Sequence, residues 1–283
     1  MKSYYKLLLI AITLFAISCE QSKSDERSLW SDEKFDLNSK KWNLVWAEEF
    51  NADTIDTTNW TVFDSYWKKN PNCLYKPEQI TIENGNLVIS AIKNGDFYQS
   101  GRMQTAGDIF HTGENSRKIE FGFGKLEFKV KMPKGAGLKT AVWMLGTNKD
   151  SLGMSWPKCG EIDIVEQRGF EPNVTKHNIH WYNDYEGKKD QNTYTLNSEI
   201  ELTGDWHVFT LIRDDKKISY YMDGSLLNEY FLMPNMSEFL QPFYFIIQLD
   251  IGNEGSWVGP VDPDIVWPKK LYIDYVRYFA SEE

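Results

Sequence analysis

The heptapeptide Gly160-Glu-Ile-Asp-Ile-Val-Glu166 sets three carboxylates at i, i+2 and i+5 within a β-branched run. Ile162, Ile164 and Val165 favour a strand, in which alternate side chains share a face, so Glu161 and Asp163 point the same way and Glu166 does not. One extra residue in the strand, a β-bulge near Ile164 or Val165, would return Glu166 to the face of the other two, and bulges are frequent beside active sites. The plain alternative is a solvated acidic strand. Three acids aimed at one spot, however, repel one another and raise at least one pKa, a cost that a surface strand has no reason to carry.

Cleavage of a glycosidic bond with retention needs an ionised carboxylate as nucleophile and a protonated carboxyl as general acid, about 5 to 5.5 Å apart. Five residues of flat strand span about 16 Å. The bulge and a curved sheet must therefore shorten the path from Glu161 to Glu166. Asp163 lies between them, where it can hydrogen-bond Glu161 and, by like charge, hold the proton on Glu166.

The elements that must position these acids read as strands. From Trp42 onward the chain is a series of short apolar runs broken by Gly, Asn and Pro, with no amphipathic helix and no repeat. Strands are expected at 43–50, 78–82, 86–92, 125–132, 139–145, 161–166, 175–181, 207–213, 217–222, 243–250 and 270–279. Turns at Glu83-Asn84-Gly85-Asn86, Pro133-Lys134-Gly135 and Asp223-Gly224 suit hairpins of one large antiparallel two-sheet sandwich. The hydrophilic stretch 183–198 reads as a loop walling one end of a cleft.

Residues 1–18 carry Lys2 and Lys6 ahead of an apolar run from Leu7 to Ile17, too short to span a bilayer, and read as a secretory signal. Ala16-Ile17-Ser18-Cys19 resembles the lipobox of bacterial lipoproteins, which implies lipidation at Cys19 and attachment to a membrane, on the outer-membrane, periplasmic or cell-surface side. Residues 19–41 then serve as a polar tether, and 42–283 as a single domain. Removing Lys2 and Lys6 takes the charge from 31 − 41 = −10 to 29 − 41 = −12, which disfavours nucleic acid and favours a neutral substrate. Cys73 and Cys159 either pair or stay as buried thiols. The chain is expected to act as a monomer.

The heptapeptide resembles the signature of glycoside hydrolase family 16 in its bulged, laminarinase-like form. Similar in family order are Leu44-Val-Trp-Ala-Glu-Glu-Phe50, Ser100-Gly-Arg-Met-Gln-Thr105, Phe123-Gly-Lys-Leu-Glu-Phe128, Ala141-Val-Trp-Met-Leu-Gly146, Trp156-Pro-Lys-Cys159, Ile179-His-Trp181, Tyr221-Met-Asp-Gly224 and Ile273-Asp-Tyr-Val-Arg-Tyr278. The resemblance runs from about residue 42 to 279. It implies an all-β, concanavalin-like jelly roll of two curved antiparallel sheets with a substrate cleft on the concave face. Glu161 would be the nucleophile, Asp163 the assisting acid and Glu166 the acid/base.

Sugar rings stack on exposed tryptophan, and the resemblance puts Trp156 on the glycone side of the cleft, His180 near the scissile bond and Arg102 near the cleavage point. Trp143 and Trp181 are further candidates for substrate contact, with a core role as the alternative. The family's structural calcium would fall to Glu49, the Gly85 carbonyl and Asp274; no catalytic metal is implied. Asn70-Pro-Asn-Cys-Leu-Tyr75 and Gln248 depart from the segments that commonly line the cleft, which opens the choice of sugar. The reading is a retaining endo-β-glucanase acting on β-1,3-glucan or mixed β-1,3/1,4-glucan. The alternatives are a galactan hydrolase of agarase, porphyranase or carrageenase type, for which sulfated substrates would require basic cleft residues, and a non-catalytic glycan-binding lipoprotein on the same fold.

Overall fold

A computed structural model describes residues 41–67, 70–107, 118–147 and 155–282. The signal at 1–18, Cys19 and all of the tether but its last residue lie outside the described residues. The described chain carries eighteen strands and two short 3-10 turns. In order they are β1 (Trp42–Glu48), β2 (Thr61–Val62), β3 (Ser65–Trp67), β4 (Asn70–Tyr75), β5 (Ile80–Glu83), β6 (Asn86–Asn94), β7 (Phe97–Ser100), β8 (Arg102–Gln104) and β9 (Gly124–Lys131). There follow β10 (Leu138–Gly146), β11 (Glu161–Arg168), β12 (Val174–Asn183), β13 (Lys188–Asn197), β14 (Trp206–Arg213), β15 (Lys217–Met222), β16 (Ser225–Phe231), β17 (Phe243–Ile251) and β18 (Lys269–Ser281).

Two sheets form the expected all-β jelly roll. The larger has eleven strands in the order β16-β15-β14-β9-β18-β6-β7-β4-β3, with β1 on β18 and β5 on β6. The smaller has seven, β13-β12-β11-β10-β17-β8-β2. Pairing is antiparallel throughout, except between β4 and β7. Strand β9 shows why the sheets meet: Leu126, Phe128 and Val130 are buried in the core, while Lys125, Glu127, Lys129 and Lys131 between them are only partly covered. Across the core, Phe245, Ile247 and Leu249 of β17 and Ile162, Ile164 and Val165 of β11 meet that face. Each such side chain contributes about 1.5–3 kcal/mol when fully buried. A smaller apolar cluster of Leu145, Cys159, Tyr244 and Ile246, with Trp143 against it, covers part of the opposite face of the seven-stranded sheet.

Asn84-Gly85 and Asp223-Gly224 adopt positive φ at both positions, 51° and 73° and then 49° and 78°. These are the two-residue turns whose twist suits hairpins, and they join β5 to β6 and β15 to β16. Pro133-Lys134-Gly135 is different. It carries the chain from β9 in one sheet to β10 in the other, so it is a crossover rather than a hairpin. The stretch 183–198 is also corrected: most of it is the edge strand β13, paired along its length with β12. An edge strand with mostly open faces can be hydrophilic and still pair through its backbone. Cys73 and Cys159 are both buried and lie in separate apolar clusters, so they are not paired with each other.

Candidate active site

The predicted bulge is present. Strand β11 pairs with β10 through Val165↔Val142 and then Asp163↔Trp143, skipping Ile164, and its pairing with β12 shifts between Asp163 and Glu166. Ile164 and Val165 both enter the core, so Glu161, Asp163 and Glu166 all stand on the opposite, open face. A neighbour unforeseen from the sequence holds this irregularity. The buried His177 ring places Nδ1 2.6 Å from the Ile164 carbonyl oxygen and Nε2 3.0 Å from Thr175 Oγ1. Burial lowers the His177 pKa to about 4, so the ring is neutral at neutral pH, with Nδ1–H donating to the bulge carbonyl and Nε2 accepting from the threonine.

Around the acids the hydrogen bonds are closed and specific. Trp156 Nε1 donates to Glu161 Oε2 at 2.7 Å. His180 Nε2 lies 3.1 Å from Asp163 Oδ2 and 3.8 Å from Glu161 Oε1. The Asn178 amide donates to Asp163 Oδ2 at 3.0 Å and to Glu166 Oε2 at 2.9 Å. Lys139 Nζ donates to Glu166 Oε1 at 3.0 Å and sits 3.2 Å from Asp250 Oδ2. Asp250, fully buried, also accepts from Tyr75 Oη and Gln248 Nε2. Asn178, Lys139 and Asp250 were not singled out from the sequence. Asn178 and Lys139 project from β12 and β10, the strands flanking β11, and Asp250 stands opposite Lys139 on β17, one strand further out.

Burial, then the charges of Asp163 and Glu166, pushes the Glu161 carboxyl well above the usual range, with the Trp156 N–H opposing. Glu166 is also raised, chiefly by burial, and here Lys139 is the main opposing influence. Lys139 itself is pulled down by burial but held protonated by Glu166 and Asp250, which outweigh it. Both carboxyls are therefore pushed toward their protonated forms, and Lys139 favours the ionised form of Glu166. Glu161, Asp163 and His180 each bring a ligand-type atom within 4.8 Å of the others, a spacing that would admit a metal ion, but Asp163 is hydrogen-bonded to His180 and Asn178, and Glu161 to Trp156.

Trp156 is 43% exposed, with its ring beside His180, and Lys189 of β13 lies over it at 4.4 Å. Lys189 covers part of the ring, and the exposed remainder is available for stacking. Trp143 is half-buried opposite Asp163 on the same face. Arg102 lies on β8, with two strands between it and β11, its guanidinium held between the rings of Phe63 and Trp143 at 4.7 and 5.2 Å. Trp181 is a correction. It follows outward-facing His180 by one residue, so alternation turns it into the core, where it is 6% exposed and away from the acids.

The carboxylates of the anticipated calcium set carry ion pairs. Glu49 is engaged by Arg277 through two hydrogen bonds of 2.7 and 2.9 Å, and Asp274 by Lys129 at 2.7 Å. A Ca²⁺ ion held by Glu49, the Gly85 carbonyl and Asp274 would have to displace Arg277 and Lys129 and draw its remaining oxygens from water or other carbonyls.

Beyond Glu166 the open face is basic and aromatic. Trp257, 42% exposed, has Arg168, Lys176 and Lys139 over its ring at 4.8, 5.2 and 5.7 Å. Arg168 is paired with Glu171.

Comparison with known proteins agrees with this geometry. The chain is 26% identical over 266 residues to glucan endo-1,3-beta-glucosidase A1 of Niallia circulans, covering 85% of this chain but only 38% of that protein. It is 27% identical over 303 residues to keratan-sulfate endo-1,4-beta-galactosidase of Sphingobacterium multivorum, covering 98% of this chain and 67% of the other. The solved laminarinase catalytic domain of Thermotoga maritima MSB8 superimposes with a TM-score of 0.71 at 29% identity, covering 86% of this chain and all of that domain. The family profile of Glycosyl hydrolases family 16 matches residues 67–259. With that match spanning more than half of the chain, and the bulged acids inside it, the protein belongs to glycosyl hydrolases family 16.

Proposed function

We propose that the chain is a retaining endo-glycosidase that hydrolyses β-1,3-glucan or mixed-linkage β-1,3/1,4-glucan by double displacement. The observation that carries this reading is the bulge at Ile164, which sets Glu161 and Glu166 on one face with Asp163 between them. In the first step Glu161 attacks the anomeric carbon, the glycosidic C–O bond breaks, and Glu166 gives its proton to the departing sugar oxygen. In the second, Glu166 takes a proton from water as the water oxygen displaces Glu161 from the sugar. The first step requires the proton on Glu166 and the charge on Glu161, and the Trp156 N–H stabilises that charge. Trp156 supplies the stacking platform and His180 orients Asp163. The glucanase names of the Niallia and Thermotoga relatives support the substrate class.

A galactose-containing, charged glycan is the second reading. Lys176 beside Trp257 is a basic residue of the kind that sulfated substrates require, and the Sphingobacterium relative is named for keratan sulfate. Reducing-end release from laminarin, lichenan, agarose, carrageenan and keratan sulfate, assayed in parallel, separates the two. Glu161→Gln and Glu166→Gln should each lose at least about a thousandfold in kcat on the cleaved polysaccharide while still binding it. Near-normal turnover by either would remove the role given to that residue. Attachment to a membrane through a lipid on Cys19, and action as a monomer, belong to the same proposal; loss of labelled-palmitate incorporation in Cys19→Ala checks the anchor.

A further inference from the structure

Lys139 and Asp250 form an ion pair inside the floor of the site. The Lys139 side chain is 12% exposed and that of Asp250 fully buried. Removing two charges from water costs several kcal/mol each, and an apolar pair of similar volume would often be at least as stable. Here the pair is instead elaborated: Tyr75 and Gln248 both donate to Asp250, Asp250 faces Lys139 across the β10–β17 register, and Lys139 reaches Glu166. Packing alone gives no reason for a chain of polar contacts that ends on the acid/base.

We propose that Lys139, anchored by Asp250, is a positioning residue that clamps the Glu166 carboxylate and keeps it able to give up its proton. This rests on the catalytic reading above. Glu166 is surrounded by influences that would lock a proton onto it: the loss of water around it, Asp163 on its own strand and Asp250 from β17. The other side chains facing it are Asn178, neutral, and the cations Lys176, across the strand pair, and Arg168, which is paired with Glu171. Lys139 is the cation in hydrogen-bond contact with the carboxylate. A permanently protonated Glu166 would serve the first step and fail the second, in which it must accept the proton of the attacking water while the ester bond to Glu161 breaks and its electron pair returns to the Glu161 oxygen. Lys139 lets one carboxyl do both.

The two members of the ion pair should act on Glu166 in opposite directions. In Lys139→Met the basic limb of the kcat/KM profile should move up by about one pH unit or more. Its kcat at neutral pH should fall about tenfold, with KM falling alongside because the glycosyl-enzyme accumulates. Lys139→Arg, which keeps the charge, should restore most of the wild-type profile. In Asp250→Asn the lysine charge is no longer divided between two carboxylates, so the basic limb should move down. NMR titration of ¹³C-glutamate side chains, with Glu166→Gln identifying the resonance, reads the same two shifts without any substrate. Absence of hydrolysis on every polysaccharide would therefore defeat the catalytic reading alone. A Glu166 midpoint that does not respond to Lys139→Met, or that moves the same way in Asp250→Asn, would overturn the proposal. If Lys139→Met does not fold, Lys139→Arg and Asp250→Asn still decide: a downward shift in Asp250→Asn with little change in Lys139→Arg supports it, and any other pattern does not.

Discussion

Three acids held within a nearly closed floor are a thermodynamic burden on the protein, and that burden can be read directly. Glu161 carries the larger push, from burial and from its two acidic neighbours, so its folded pKa lies above the ordinary carboxylate value of about 4.5. The sign follows from linkage: a raised folded pKa favours the fold at acid pH, and that advantage is lost as pH rises through it. Glu161→Gln should therefore raise Tm at neutral pH while abolishing turnover, with the Tm gain shrinking as pH falls toward 4.5; a variant no more stable than wild type at neutral pH would mean that the acids are not strained against one another. The acids and their sharing of a face were legible in the heptapeptide, because a parity misfit can be resolved by one inserted residue. Trp181 was misplaced although its direction was readable: alternation applied to Ile179-His-Trp181 puts it on the face opposite His180, in the core. Lys139 and Asp250 were not, since nothing local marks two residues 111 positions apart as partners across adjacent strands.

Strand β11 owes its irregular course to its neighbour β12, where His177 binds the Ile164 carbonyl that the bulge leaves out of the ladder. An unpaired buried carbonyl costs about 1–3 kcal/mol, so His177→Phe should destabilise the fold by about that much and lower kcat by letting Glu166 drift. It should also change the response to acid. His177 has a folded pKa of about 4 against about 6.5 unfolded, so the unfolded chain binds the extra proton between those values. Stability is then full above pH 6.5 and falls as pH drops toward 4, by up to about 3 kcal/mol from this group. Thermal melts across that window should show the slope in wild type and a shallower one in His177→Phe; equal slopes would remove His177 from the account. The strands readable in the sequence are those with one apolar face or two, such as β9 and β17. Strands β7 and β8 are too short to show a period, and β13 is a hydrophilic edge whose pairing rests on backbone hydrogen bonds that side-chain types do not report.

Across the whole molecule, a net charge of −10 coexists with a cleft end where Arg168, Lys176 and Lys139 surround one exposed tryptophan. The overall acidity points to a neutral substrate, whereas the local arrangement admits a charged one, because steering by total charge and contact with one subsite act over different distances. Local pairing matters at the anticipated calcium set as well, where Arg277 and Lys129 engage Glu49 and Asp274. The fold, by contrast, was legible at this scale, because two sheets with facing apolar sides leave few ways to bury so many short strands. The central claim is that Glu161 and Glu166, set on one face by a single bulge, cut a β-glycosidic bond in two inversions. Proton NMR of the polysaccharide as it is cleaved tests this most directly: the account predicts that the new reducing end forms first as the β anomer and only later mutarotates, and first formation of the α anomer would contradict it.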